Sequence, residues 1–203
     1  CKFFQFGSIG EIPQDLKFRG ERSTLIIGDD NVFRESVTFH RGTKGGGAKT
    51  VVGNGNLFMA YAHIAHDCYI GDFVIMANAA TLAGHVSIED HAQVGAYSGI
   101  HQHCRVGKHG FIGGYSVITK DVLPFSKTVG NRAQCYGVNA IGLRRKGFDS
   151  DQIDRIRHAF RLLLQSRLNT SQAVDAISKE QPSSPEISYL LQFIRESKRG
   201  IIK

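Results

Sequence analysis

Residues 57–88 read LFMAYAHIAHDCYIGDFVIMANAATLAGHVSI, with a large apolar residue at every sixth position: Phe58, Ile64, Ile70, Met76, Leu82 and Ile88. The series runs back to Val52 and on through Val94, Ile100, Val106 and Ile112 to Ile118 without a miss. Period six fits neither the 3.6-residue repeat of an α-helix nor the two-residue alternation of a long strand. It fits a parallel β-helix of hexapeptide repeats, in which three short strands close one triangular coil of about eighteen residues. The sixth-position residues fill the prism. Small neighbours (Gly53, Ala65, Gly71, Ala77, Ala83, Gly95) are expected to let the chain turn its corners. The phase reappears upstream in Ile27, Phe33 and Phe39, and the stretch RGTKGGGAKT between Phe39 and Val52 is expected to leave the prism as a loop near 43–51.

Working outward, the repeat stops at Pro124, so residues 1–124 form the β-helix and 125–148 read as a connecting segment. Residues 149–203 carry three helical patterns: one capped at Asp149–Ser150, one from Thr170–Ser171 and one from Ser184–Pro185. The fold class is therefore mainly β, a β-helix followed by a small α-helical C-terminal domain. Hydrophobic residues make up 41% of the 203, charged residues 21%, and no apolar run is long enough for a membrane span. Four cysteines without a CxxC pair argue against a zinc ribbon or a secreted disulfide framework and favour a reducing cytoplasm. The formal charge of +7 suits an anionic substrate or an acidic partner; no nucleic-acid motif accompanies it.

HIAHDC (63–68) is the densest knot of chemistry-bearing residues. Counting coils places His66, His85 and His101 in one column region, with His63 and His40 nearby or on another edge. Neutral imidazoles from successive coils could hold zinc; alternatively one acts as general base with its tautomer fixed by an acid. Asp67 would point away from His66 in an extended strand, so a contact between them needs a turn. Cys68 and Cys104, two coils apart, are too distant for a disulfide and read as core residues.

QDLK (14–17), RESVTFHRGT (34–43), AHIAHDC (62–68), NAATLAGHVSIED (78–90), IHQ (100–102), GNRAQCYGVN (130–139) and GLRRKGF (142–148) together resemble the UDP-N-acetylglucosamine O-acyltransferases of lipid A biosynthesis. The resemblance implies a left-handed β-helix, a homotrimer with active sites between subunits, further coils before Cys1, and no cofactor or metal. It implies His66 as general base, Asp67 as the acid orienting it, and the Gly84 N–H as oxyanion donor. His63, His85, His101, Gln102, Asp15 and Lys17 would hold sugar and acyl groups, Asn139 and Arg145 the nucleotide, and Gly114 would set acyl-chain length. The donor implied is a 3-hydroxyacyl chain on acyl carrier protein, an acidic partner suited to LRRKG (143–147), Arg155, Arg157, Arg161, Lys198 and Arg199. Two departures touch the nucleotide end: Ile141 stands where the family often has an acid, and Lys146 where it has a second arginine. Rival readings are the N-acyltransferase of the same pathway, a zinc enzyme of carbonic-anhydrase type, and a non-catalytic scaffold.

Overall fold

A computed structural model describes residues 1–181 and 184–203. Two-residue strands recur every six residues and pair in parallel at a register of one coil: Leu57 with Ile75, Gln93 and Phe111 on one face; His63 with Thr81, Gly99 and Val117 on the second; Tyr69 with Ser87 and Arg105 on the third. Three sheets of eight, six and five strands result, parallel throughout except for the last strand of the first. They are the walls of a left-handed β-helix. All twelve sixth-position residues from Val52 to Ile118 are buried, each at most 3% exposed. Burying a side chain of this size stabilises by roughly 1.5–3 kcal/mol, which makes the column the main source of cohesion. Phe33, Phe39 and Phe58 pack ring on ring in the early coils. Where Ser98 and Ser116 replace apolar residues inside, both hydroxyls donate to the Gly113 carbonyl, so neither buried polar group is stranded.

The corners differ from expectation. Ten successive corner residues, from Tyr61 through Asp67, Phe73, Ala79, His85, His91, Tyr97, His103 and His109 to Tyr115, adopt the left-handed conformation with φ between 56° and 64°. None is glycine. The small residues lie two positions earlier, where the next coil presses on them: a Cβ on Gly53 would meet the Asp72 carboxylate at 2.3 Å, and one on Gly95 the Gly114 nitrogen at 2.5 Å. Their size answers a close approach of chains rather than a backbone angle.

The glycine-rich stretch is shorter than expected and does not stray. Lys49–Val52 is a strand paired with Thr24–Ile27, leaving residues 43–48 as a tight excursion around a 3₁₀ turn at Lys44–Gly46. Residues 125–148 are more than connecting chain. Ser126–Gly130 extends the first sheet parallel to Phe111–Ile112, then pairs antiparallel with Ala133–Val138, and α1 (Ala140–Arg145) follows. Helices α2 (Ser150–Leu164), α3 (Thr170–Glu180) and α4 (Pro185–Glu196) close the chain. Capping boxes at Asp149–Gln152 and Asn169–Gln172 start the first two of these, satisfying end N–H groups. Ile153, Ile156, Phe160, Ile187 and Leu190 form a second core with Leu123 and Phe125 from the prism's end. Tyr189 of α4 ties this cap to the prism: its hydroxyl donates to Glu89 and accepts from the Lys108 N–H.

Candidate active site

His66 and Asp67 are adjacent in sequence, and only the corner lets them touch. With φ at 59°, the Asp67 side chain swings back, and His66 Nδ1 lies 2.8 Å from Asp67 Oδ2. The carboxylate also accepts from Thr43, at 2.8 Å from N–H to Oδ1 and 2.6 Å from Oγ1–H to Oδ2. The Asp67 amide donates to Thr50 Oγ1. The Asp67 side chain is 0% exposed and the His66 side chain 17%, so the acid is dry while the imidazole keeps an opening. A carboxylate on Nδ1 holds the proton there and leaves Nε2 as the free base.

One coil on, Gly84 lies under the His66 ring. A Cβ there would stand 2.5 Å from His66 Cε1 and 2.7 Å from Nε2, so the ring's seat requires glycine. Among the described residues the Gly84 N–H has no acceptor, leaving a donor free beside the imidazole. His85, at the same corner as Asp67 one coil on, packs edge-on to His66 at 5.2 Å and brings Nε2 to 3.9 Å from Asp67 Oδ2. Burial lowers its pKa. His103 stacks on His85 at 4.5 Å and 12°. The column expected for His101 therefore belongs to His103: strict steps of one coil from Asp67 pass through His85 to His103, and His101 stands two residues short. A cavity of about 780 Å³ opens here, lined by Asp15, Lys17, Arg19, Thr43, His85 and His103 among others. Asp15 Oδ1 accepts from the Lys17 N–H at 3.0 Å and holds their loop in a turn.

His101 lies instead with His63 along a hollow of about 340 Å³ whose floor includes Thr81, Leu82, Ala83, Gly99 and Ile100. His63 Nδ1 is 2.7 Å from Thr38 Oγ1, and burial brings its pKa down to about 4, which makes it a neutral hydrogen-bonding ring at pH 7. His40 packs against it edge-on at 5.0 Å. His101 Nδ1 faces the carbonyl of Gln102, and both residues are exposed.

Asn139, Arg145 and Gly114 are not brought to this cavity within one chain. Asn139 caps α1, accepting from the Gly142 N–H and donating to the His109 carbonyl, at a different corner of the prism. Arg145 ends the same helix and is exposed, as are Ile141 and Lys146. Gly114 precedes Tyr115 at the third corner, and a Cβ on it would stand 3.2 Å from the Ala96 carbonyl. Reading by sequence missed Thr43, Thr50, Thr38 and His103. For His103 the signal was the strict count of coils; for the threonines there was none.

His66, Asp67 and His85 could offer a metal ligand atoms within 4.8 Å of one another. Both Asp67 oxygens are already held by Thr43 and His66, so an ion here would have to break the dyad. Cys68 lies in the core and donates to the Ala83 carbonyl, and burial pushes its thiol up to about 12. Such a thiol supplies no thiolate at neutral pH. All four cysteines are free, and among the described residues no helix is long and apolar enough to cross a membrane.

The profile of the bacterial transferase hexapeptide family matches residues 49–84 and 85–120, and that of UDP N-acetylglucosamine O-acyltransferase, domain 2, matches 121–202. A protein of Anaeromyxobacter sp. (strain K) named acyl-[acyl-carrier-protein]–UDP-N-acetylglucosamine O-acyltransferase is 45% identical over 96% of this chain and 76% of its own length. One of the same name from Aliivibrio fischeri is 47% identical over 96% and 74%. A solved structure of LpxA, a UDP-N-acetylglucosamine acyltransferase from Bacteroides fragilis, superposes with a TM-score of 0.96 at 44% identity, over 99% of this chain and 78% of that one. LpxA from Acinetobacter baumannii gives 0.95 at 45%, over 99% and 78%. A likeness of this extent, spanning prism, hairpin and helical cap alike, places the chain in the acyl-[acyl-carrier-protein]–UDP-N-acetylglucosamine O-acyltransferase family.

Proposed function

We propose that this chain transfers a 3-hydroxyacyl group from acyl carrier protein to the 3-hydroxyl of UDP-N-acetylglucosamine, the first step of lipid A biosynthesis, with His66 as the general base. The observation that carries the chemistry is the His66–Asp67 dyad over Gly84, beside the cavity lined by Asp15, Lys17 and His85. His66 Nε2 takes the proton of the sugar hydroxyl as its oxygen attacks the thioester carbonyl. A C–O bond forms and the carbonyl becomes an oxyanion on the Gly84 N–H, a donor of the kind that contributes about 3–4 kcal/mol. Collapse breaks the C–S bond, and the imidazolium returns its proton to the departing thiolate. Asp67 keeps Nδ1 protonated throughout. The carrier delivers the acyl group, and no cofactor enters the balance.

Lys17, Asp15 and His85 hold the sugar. His63, neutral at working pH, and His101 with Gln102 flank the acyl chain along the apolar hollow. Asn139 and Arg145 lie at another corner of the same prism, so they reach the nucleotide from a second copy. A homotrimer with sites between subunits satisfies that geometry. The exposed guanidinium of Arg145 suits a diphosphate. LRRKG and the basic residues of α2 and the C-terminus steer the acidic carrier protein, within the cytoplasm where it circulates.

The test is incubation with UDP-N-acetylglucosamine and a series of 3-hydroxyacyl carrier proteins, with mass spectrometry of the sugar. One added acyl group on the 3-oxygen is expected; turnover only with the acylated glucosamine acceptor rejects the reading in favour of N-acylation. In the same series Gly114→Met should move donor preference to shorter chains, because each methylene excluded from burial loses about 0.8 kcal/mol. An unchanged preference removes Gly114 from chain-length selection.

A further inference from the structure

We infer that the glycine-rich segment 43–48 is a clamp on the Asp67 carboxylate, and that Thr43 is a positioning residue for acyl transfer. The inference rests on the reading of His66 as base and extends it to a loop and a threonine outside the dyad.

The loop is pinched at its neck, where a Cβ on Gly42 would lie 2.1 Å from the Lys49 nitrogen. The Gly46 and Ala48 N–H groups both donate to the Thr43 carbonyl, and the Lys44 N–H to Glu21. These amides are committed inside the protein, which removes them from a phosphate cradle. What the loop does hold is a carboxylate. Thr43 supplies one donor to each Asp67 oxygen. Gly46 closes the remaining side: a Cβ there would stand 2.0 Å from Asp67 Cγ and 2.3 Å and 2.4 Å from its oxygens. Gly46 does not occupy the left-handed region, whereas Gly47 does, at φ 92°. The backbone would accept alanine at 46; the carboxylate would not.

The consequence is orientation. Asp67 Oδ2 receives two donors, Thr43 Oγ1–H and the His66 Nδ1–H, and with Oδ1 tied to the Thr43 amide the carboxylate plane cannot turn. A ring steered by a fixed plane presents Nε2 in one direction, and misplacement of a reacting group by about 1 Å can cost on the order of a hundredfold.

Thr43→Val keeps the branched shape and the backbone donor while deleting the hydroxyl. Loss of one donor to a buried charged group lowers kcat by roughly ten- to a hundredfold. KM for UDP-N-acetylglucosamine should stay within about twofold, since the deleted hydroxyl is spent on Asp67 and Asp15, Lys17 and His85 are untouched. Thr43→Ser, which restores the donor, should recover most of the lost kcat. Gly46→Ala reads the clamp from its other side and should lower kcat likewise, with thermal melting confirming a folded protein. Wild-type kcat in both Thr43→Val and Gly46→Ala overturns the clamp, as does a Thr43→Ser protein no faster than Thr43→Val. His66→Ala in the same assays separates the two ideas. Full activity there ends the general-base reading, while an inactive His66→Ala beside fully active Thr43→Val and Gly46→Ala ends the clamp alone.

Discussion

Two corners of the prism share one backbone and do opposite things. Asp67, His85 and His103 turn with φ of 59°, 62° and 63°; Phe73, His91 and His109 turn with 56°, 59° and 57°. Each corner carries stacked imidazoles, His85 on His103 at 4.5 Å and His91 on His109 at 4.8 Å. At the first, an aspartate tops the stack, a glycine-rich loop seals that aspartate, and a cavity of about 780 Å³ leaves the rings accessible. At the second, Phe73 stacks on His91, while Phe125 and Phe148 pack on His109. The coil supplies a grid of equivalent positions and no chemistry. Chemistry arises where a buried acid, an uncovered ring and an unfilled glycine coincide.

The sharpest way to break the comparison is to remove the ring proposed as the base at the first corner. His66→Ala should lower kcat by about 10²–10⁴-fold, the range for a lost general base, with the melting temperature little changed because the ring is not part of the core. The neighbouring Cys68 is the control for proximity. Its thiol is buried and held protonated, so Cys68→Ala should leave kcat within a few-fold of wild type and act on stability by about 1 kcal/mol. Comparable losses in the two variants would make Cys68 a nucleophile and defeat direct transfer.

A smaller effect tests the unfilled glycine. In Gly84→Ala the new methyl would sit 2.5 Å from His66 Cε1, so the ring must tilt off its seat although both members of the dyad remain. The expected fall in kcat is on the order of ten- to a hundredfold, from misplacement alone. A fully active Gly84→Ala would mean that the ring does not react from the position found here.

The period-six series made the prism legible because a repeat of coils imposes one spacing everywhere, and each inward residue from Val52 to Ile118 obeys it. The helix starts at Asp149 and Ser184 were legible through capping chemistry. The corners were not, since a turn built from left-handed non-glycine residues leaves no compositional trace: Tyr61, Asp67 and Ala79 share nothing but position. His101 is off the column expected for it because it stands two residues short of a full coil from His85, whereas the exact step leads to His103. The contact of Gly46 with Asp67 was invisible, because the excursion at 43–48 breaks the register on which every other neighbour could be counted. Helix α1 escaped notice because AIGLRR is one short amphipathic turn and a half, interrupted by Gly142.

The smallest effect sharpens the second corner. Burial, followed by the nearby His91, Lys146 and Lys108 charges, brings the His109 pKa down to about 4, and His91 is lowered by burial and the Lys146 charge as well. Asp90 and Asp72 act on His91 in the opposite sense, Asp90 also on His109, and Lys108 is paired with Asp90 at 2.9 Å. With the folded value below the unfolded one of about 6.5, the unfolded chain binds more protons between pH 6.5 and 4. The stability associated with a neutral His109 is therefore full above pH 6.5 and is lost as pH falls toward 4. His63, also brought down to about 4, contributes in the same direction. His109→Phe removes one of these groups at a corner where Phe73 and Phe125 already adopt the same turn, at φ 56° and 62°. The variant should melt at a temperature that declines less between pH 7.5 and 4.5 than wild type does, by a difference of about 5–10 °C. An identical decline would mean that His109 is as easily protonated in the fold as in the unfolded chain, and the two corners would then differ in covering but not in charge.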